Sequence, residues 1–153
     1  MSTHALTRPS SNARLVTRAA LYLGAIAVLA TGVVHLQQYS GNGYSTVPTI
    51  GTLFFLNLVS AVVIAIGLVV PLRRLAGHYA EAVRAVFALG GIGLAGLSLV
   101  ALFISEGSGL FGFVEHGYRT PIMIAIVAEV AAVVFLLVYL VPSLRRAVGR
   151  SQR

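Results

Sequence analysis

PIMIAIVAEVAAVVFLLVYLV, residues 121–141, decides the architecture. A proline opens the run, no basic residue interrupts it, and Glu129 places a single carboxyl in otherwise apolar chain. At the rise of an α-helix these 21 residues measure roughly 32 Å, about one hydrocarbon thickness, so the run reads as a membrane-spanning helix. Three further runs of the same kind lie at residues 19–36, 49–70 and 85–105. Backbone exposed to lipid must satisfy its own N–H and C=O groups, so all four are expected to be helical.

Composition agrees with this reading. The 153-residue chain is 58% hydrophobic and only 10% charged, whereas a soluble domain carries about 25% charged residues to keep its surface wet. Cysteine is absent, which excludes disulfides, thiolate metal sites and thiol redox chemistry. No His-x-x-x-His or Glu-x-x-His pattern falls within a span, so the sequence offers no defined metal or haem site and implies no cofactor. Nor does any nucleophile, base and oxyanion set point to an enzyme.

All 11 basic residues are arginine. Arg8, Arg14 and Arg18 precede the first span, Arg73, Arg74 and Arg84 separate the second from the third, and Arg145, Arg146, Arg150 and Arg153 follow the fourth. Arg119 alone falls in the remaining loops. This bias predicts that both termini are cytoplasmic and that loops 37–48 and 106–120 face outward. The first span lacks a small-x-small cleavage signature and reads as a retained anchor. Arg73, Arg74, Arg145 and Arg146 are placed to contact anionic lipid headgroups. Because the arginines are divided among short segments at the membrane face, the net charge of +7 does not indicate nucleic-acid binding.

The second half of the chain repeats the first. RAALYLGAI from Arg18 matches RAVFALGGI from Arg84, GYSTVPTI from Gly43 matches GYRTPIMI from Gly117, and VPLRRLAG from Val70 matches VPSLRRAVG from Val141. Prolines at 48 and 71, and again at 121 and 142, frame the even-numbered spans. Residues 18–77 and 84–149 thus form tandem helical hairpins that enter the membrane in the same direction. The expected fold is all-α: one polytopic four-helix bundle spanning residues 1–153, with a pseudo-twofold axis along the membrane normal. Cytoplasmic tails at 1–18 and 142–153 flank it. Gly91, Ala95 and Ser98, at helical spacing, are expected to make the third span the closest-packing helix, within the bundle or in a homodimer.

Few polar residues lie inside the spans. Glu129 is expected to face the interior, because an acidic side chain at mid-membrane costs about 2.5–3.5 kcal/mol on insertion scales. Carried through the repeat, its counterpart is Asn57, and the pair is expected to hydrogen-bond across the axis. His35 lies one turn beyond Thr31, near the outer end of the first span, where it can meet Glu129, a ligand or headgroups. Glu129, Asn57, His35 and Thr31 form the candidate polar pocket. Phe111, Phe113, His116 and Tyr118 in the second outer loop, with Tyr44 in the first, form a candidate lid or interfacial anchor. Glu115 is expected only to solvate its loop, and His78, Glu81 and Arg84 to form an exposed ion cluster.

GVVHLQQYSGNGYSTVPTIGTLFFLN, residues 32–57, and LFGFVEHGYRTPIMIAIVAE, residues 110–129, resemble a group of small four-span integral membrane proteins of actinobacteria with no assigned activity. A looser likeness to DoxX-like membrane proteins concerns fold alone. The resemblance implies a bacterial cytoplasmic-membrane location and the bundle shape, without a substrate. Three roles fit: a non-enzymatic accessory or assembly subunit of a larger membrane complex, a proton-coupled carrier using Glu129, Asn57 and His35, or a lipid-, quinone- or haem-binding redox accessory.

Overall fold

A computed structural model describes residues 11–115, 117 and 119–151. Five helices account for most of them: α1 (Ser11–Gly41), α2 (Ile50–Val69), the short α3 (Leu72–Ala76), α4 (Ala80–Gly107) and α5 (Thr120–Ser151). Four are long and apolar enough to cross a membrane, α3 and α4 together supplying the third. The protein is an all-α, multi-pass membrane four-helix bundle. Going round it, the order is α1, α2, α4, α5, with α1 diagonal to α4. That is the cyclic order expected of two tandem hairpins.

Small residues set the tightness of each seam. A Cβ on Gly24 of α1 would lie 2.6 Å from Leu136 of α5, and one on Gly32 would lie 2.7 Å from the Ala61 Cβ of α2. Gly91 of α4 also receives Leu136, at 2.6 Å, and Gly67 of α2 receives the Phe87 ring, at 2.5 Å. Around these contacts Val28, Leu68, Ala88, Ala132, Leu136 and Leu140 build a core in the half of the bundle nearest the α3 turn. The closest-packing helix is α1 rather than the third span. The apolar window of α1 is 56% buried, against 17% for the Leu72–Gly107 unit. A Cβ added to Gly93 or Gly96 of α4 would meet nothing within 4 Å, so the glycines that suggest close packing there are divided between two faces.

The helix ends depart from the hydropathy limits in two places. α1 runs on to Gly41, because Gln37, Gln38, Tyr39 and Ser40 continue the backbone ladder although they are polar; Ser40 Oγ donates to the Leu36 carbonyl at 2.8 Å. Pro71 ends α2 as expected, yet Pro142 lies within α5, which continues to Ser151. The difference is positional. After Pro71 the chain must reverse through Gly77, whose φ of 51° suits glycine, whereas no reversal follows Pro142.

The polar turn between α2 and α4 is also rearranged relative to expectation. Glu81 faces Arg73 at 3.8 Å, with both side chains exposed, while Arg84 Nη2 donates to the Val70 carbonyl at 3.1 Å and caps the end of α2. An exposed cluster of His78, Glu81 and Arg84 does not form.

Candidate functional site

A cavity of about 330 Å³ occupies the half of the bundle nearest loops 42–49 and 108–119. Each main helix contributes to it: Val34, His35 and Gln38 from α1, Phe54 and Asn57 from α2, Leu94, Ser98 and Ala101 from α4, and Ile122, Ala125 and Glu129 from α5. The wall is mostly apolar; Gln38, Ser105 and Glu115 are polar near the loops, and His35, Asn57, Ser98 and Glu129 are polar deeper in the bundle. Such a combination is the usual form of a small-molecule site.

Three of those polar groups are linked. His35 Nδ1 donates to the Thr31 carbonyl at 2.9 Å, which fixes the ring and leaves Nε2 to face the bundle interior. Nε2 lies 3.1 Å from Ser98 Oγ and 4.0 Å from Glu129 Oε1, and the Ser98 hydroxyl is also a hydrogen-bond partner of the Glu129 carboxyl. Glu129 is only 1% exposed. Proton counting gives the cluster two complementary arrangements. Either the carboxyl donates to Ser98 and Ser98 donates to a neutral imidazole, or an imidazolium donates to Ser98 and Ser98 donates to a carboxylate. Both are neutral overall.

Thr31 is buried and lies behind His35 rather than on the cavity wall, its Oγ1 donating to the Ala27 carbonyl at 3.2 Å. Asn57 lines the cavity at the position the repeat gives it, yet it does not pair with Glu129. Its Oδ1 is buried without a hydrogen-bond partner. In place of the expected amide–carboxyl bond, Glu129 has the Ser98 hydroxyl as its partner, with His35 Nε2 4.0 Å away. Ala101, the repeat counterpart of His35, also lines the cavity, so the duplication places equivalent positions there with only one of them polar.

Above the cavity the two loops form a roof. Tyr44 is buried and donates to Glu115 Oε2, while Arg119 Nη2 donates to the Tyr44 hydroxyl at 2.6 Å and to Glu115 Oε1 at 2.9 Å. The Tyr44 ring stacks on Phe54 at 5.0 Å and meets Phe113 edge-on at 5.4 Å, and Phe54 in turn meets the His35 ring at 4.9 Å. Burial, and next the acceptor carboxyl of Glu115, push the Tyr44 phenol up from 10 to about 12. Arg119 is raised from its ordinary value, chiefly by its hydrogen bond to Glu115. Glu115 therefore organises the roof instead of merely solvating its loop. Its backbone N–H donates to the Ser105 carbonyl at 3.3 Å, tying the loop to α4.

Phe113 belongs to this roof and Phe111 does not. Leu110 and Phe113 exchange backbone hydrogen bonds of 2.7 and 2.9 Å across a turn whose central residues, Phe111 and Gly112, both have positive φ. Phe113 is thereby brought to the cavity wall, while Phe111 is 67% exposed. His116 and Tyr118 lie outside the described residues. Arg73 is exposed at the opposite end of the bundle, and the side chains of Arg145 and Arg146 are outside the described ones. Among the described residues no three His, Asp or Glu side chains converge as metal ligands.

Sequence reasoning misses several residues that matter here. Ser98 reads in the sequence only as a small packing residue, although a hydroxyl near the midpoint of an apolar span is itself a polar signal. Arg119 and Glu115 stand at i, i+4 spacing, and Arg119 is the sole arginine on its side of the expected membrane. No protein family, no curated protein and no solved structure matches the chain.

Proposed function

We propose that this protein is a non-enzymatic binding protein of the bacterial cytoplasmic membrane that holds one small, largely apolar molecule in the cavity beneath the roof. The observation behind this reading is the cavity itself: about 330 Å³, walled mostly by apolar side chains, with the linked His35, Ser98 and Glu129, and Asn57, in its lining. A bundle needing only structural stability gains nothing from a carboxyl and an imidazole beside a cavity, since each costs free energy to insert. The arginine bias favours a cytoplasmic location for both termini, which turns the roof outward.

Filling the cavity tests the reading. Ala125→Phe adds bulk into the space one helical turn from Glu129 while replacing no member of the polar cluster. Mass spectrometry of protein released from native membranes is expected to find an apolar molecule on the wild type, about one per chain, and to find it lost from the variant, with helix content unchanged by circular dichroism. Equal retention by both proteins would refute the proposal.

An accessory role in a larger membrane complex is the second reading. It draws on α4, whose lipid-side Gly93 and Gly96 leave a helix surface open to a neighbour.

A further inference from the structure

We propose that the gap between α2 and α4 is a lateral portal, through which one uncharged amphiphile with a hydroxyl-bearing head reaches the cavity from the lipid on the loop side. The inference deepens the binding reading above and rests on it.

Access from water is closed. Tyr44, Glu115 and Arg119 bond to one another across the two loops, and Tyr44 and Phe113 cover the cavity with rings. A second, shallow depression lies above this roof, lined by Asn42, Val47, Val114 and Arg119, and the rings and carboxyl stand between it and the cavity below.

The lipid-facing sides are not equally sealed. α1 packs much more extensively against α2 and α5 than α2 packs against α4, and its Gly32 admits Ala61 of α2. Between α2 and α4 the glycine contacts are confined to the opposite half of the membrane, where Phe87 sits on Gly67 and Ile64 lies 3.6 Å from a Cβ position at Gly90. Moving from there toward the roof, the two helices are separated by the cavity. Its wall on this side consists of Leu53, Leu56 and Leu97, which are 40%, 51% and 72% exposed. Side chains that line a cavity and also face outward mark its rim, and this rim lies within the apolar spans, where only lipid is outside.

The polar lining of the cavity selects the head. Its ionisable groups are already matched within the protein: Glu129 with His35 and Ser98, Glu115 with Arg119 and Tyr44. A carboxylate, phosphate or ammonium head would bring an unmatched charge into this setting. Every proton of the His35–Ser98–Glu129 chain is used within it or at the Thr31 carbonyl, so the chain offers a ligand only acceptor oxygens, and the Asn57 Oδ1 acceptor is unpartnered as well. A neutral hydroxyl head, as a donor, complements these acceptors, and an alkyl or isoprenoid body complements the leucine rim.

The full-length protein in nanodiscs is photolabelled with three alkyne-tagged diazirine probes of equal alkyl length, ending in hydroxyl, carboxylate or trimethylammonium, and labelled peptides are mapped. The hydroxyl probe is expected to label the cavity segments of α2 and α4 saturably, and more strongly than the charged probes. Asn57→Leu is expected to weaken that labelling by roughly two- to tenfold, the worth of one hydrogen bond. The chain has no cysteine, so Leu56→Cys with Leu97→Cys can be bridged specifically by a bis-methanethiosulfonate reagent. Bridging is expected to abolish cavity labelling, and reduction to restore it. Labelling that persists through the bridge overturns the portal while leaving the binding reading in place. Equal labelling by a charged probe overturns the head assignment. If no probe labels the cavity but Ala125→Phe still displaces the native molecule, the portal and ligand class fail together; if Ala125→Phe displaces nothing, the binding reading is what has failed.

Discussion

Tyr44 joins three structural demands in one side chain: its ring closes the cavity, its hydroxyl donates to Glu115, and the same oxygen accepts from Arg119. The closed roof holds the neutral phenol, with its ionisation pushed up from 10 to about 12. Below pH 10 the phenol is neutral in both closed and opened chains, so the roof keeps its full stability; as pH rises from 10 through about 12, the opened chain ionises first and the closed roof is progressively lost. A tyrosinate absorbance titration of wild type minus Tyr44→Phe is expected to show this single late transition. Glu115→Gln should bring it to lower pH, because the carboxyl raises the phenol while Arg119 lowers it. At this scale the sequence is partly legible. Glu129 and His35 stand out because a charge or imidazole in apolar chain is conspicuous, whereas Ser98 and Glu115 do not, since a serine resembles packing and a loop carboxylate resembles solvation.

Among the elements, α1 and α4 descend from equivalent positions in the repeat but pack differently, and their glycines give the measurable contrast. Gly32→Ala forces a methyl to 2.7 Å from the Ala61 Cβ, in a contact with no flexible side-chain end to yield. It should destabilise the bundle by about 1–3 kcal/mol. Gly96→Ala meets nothing within 4 Å and should be neutral or stabilising by up to about 1 kcal/mol, through helix propensity. Reversible unfolding in mixed detergent micelles reads both. The number, order and centres of the helices are legible from hydropathy and the repeat. Their ends are less so: hydropathy cannot see Gln37 to Ser40 extending α1, and a proline marks a break only where the chain also turns, as at Pro71 but not at Pro142.

For the whole molecule, the positive-inside bias makes a topological prediction that a cysteine-free chain tests directly. Ser45→Cys, at an exposed loop position, should react with a membrane-impermeant maleimide in intact cells, and His78→Cys, exposed at the opposite end of the bundle, only after permeabilisation. Labelling of both from outside would refute the even-numbered threading. The bundle's cyclic order is legible from the duplication, while the unequal tightness of its seams is not, because it depends on which leucine meets which glycine across helices far apart in sequence.

The cavity fixes a stoichiometry. Two hairpins could carry a berth each; here all four main helices wall one shared cavity instead. The result is a vessel with a single mooring, and saturation should come at one guest per polypeptide, without cooperativity between copies of the hairpin.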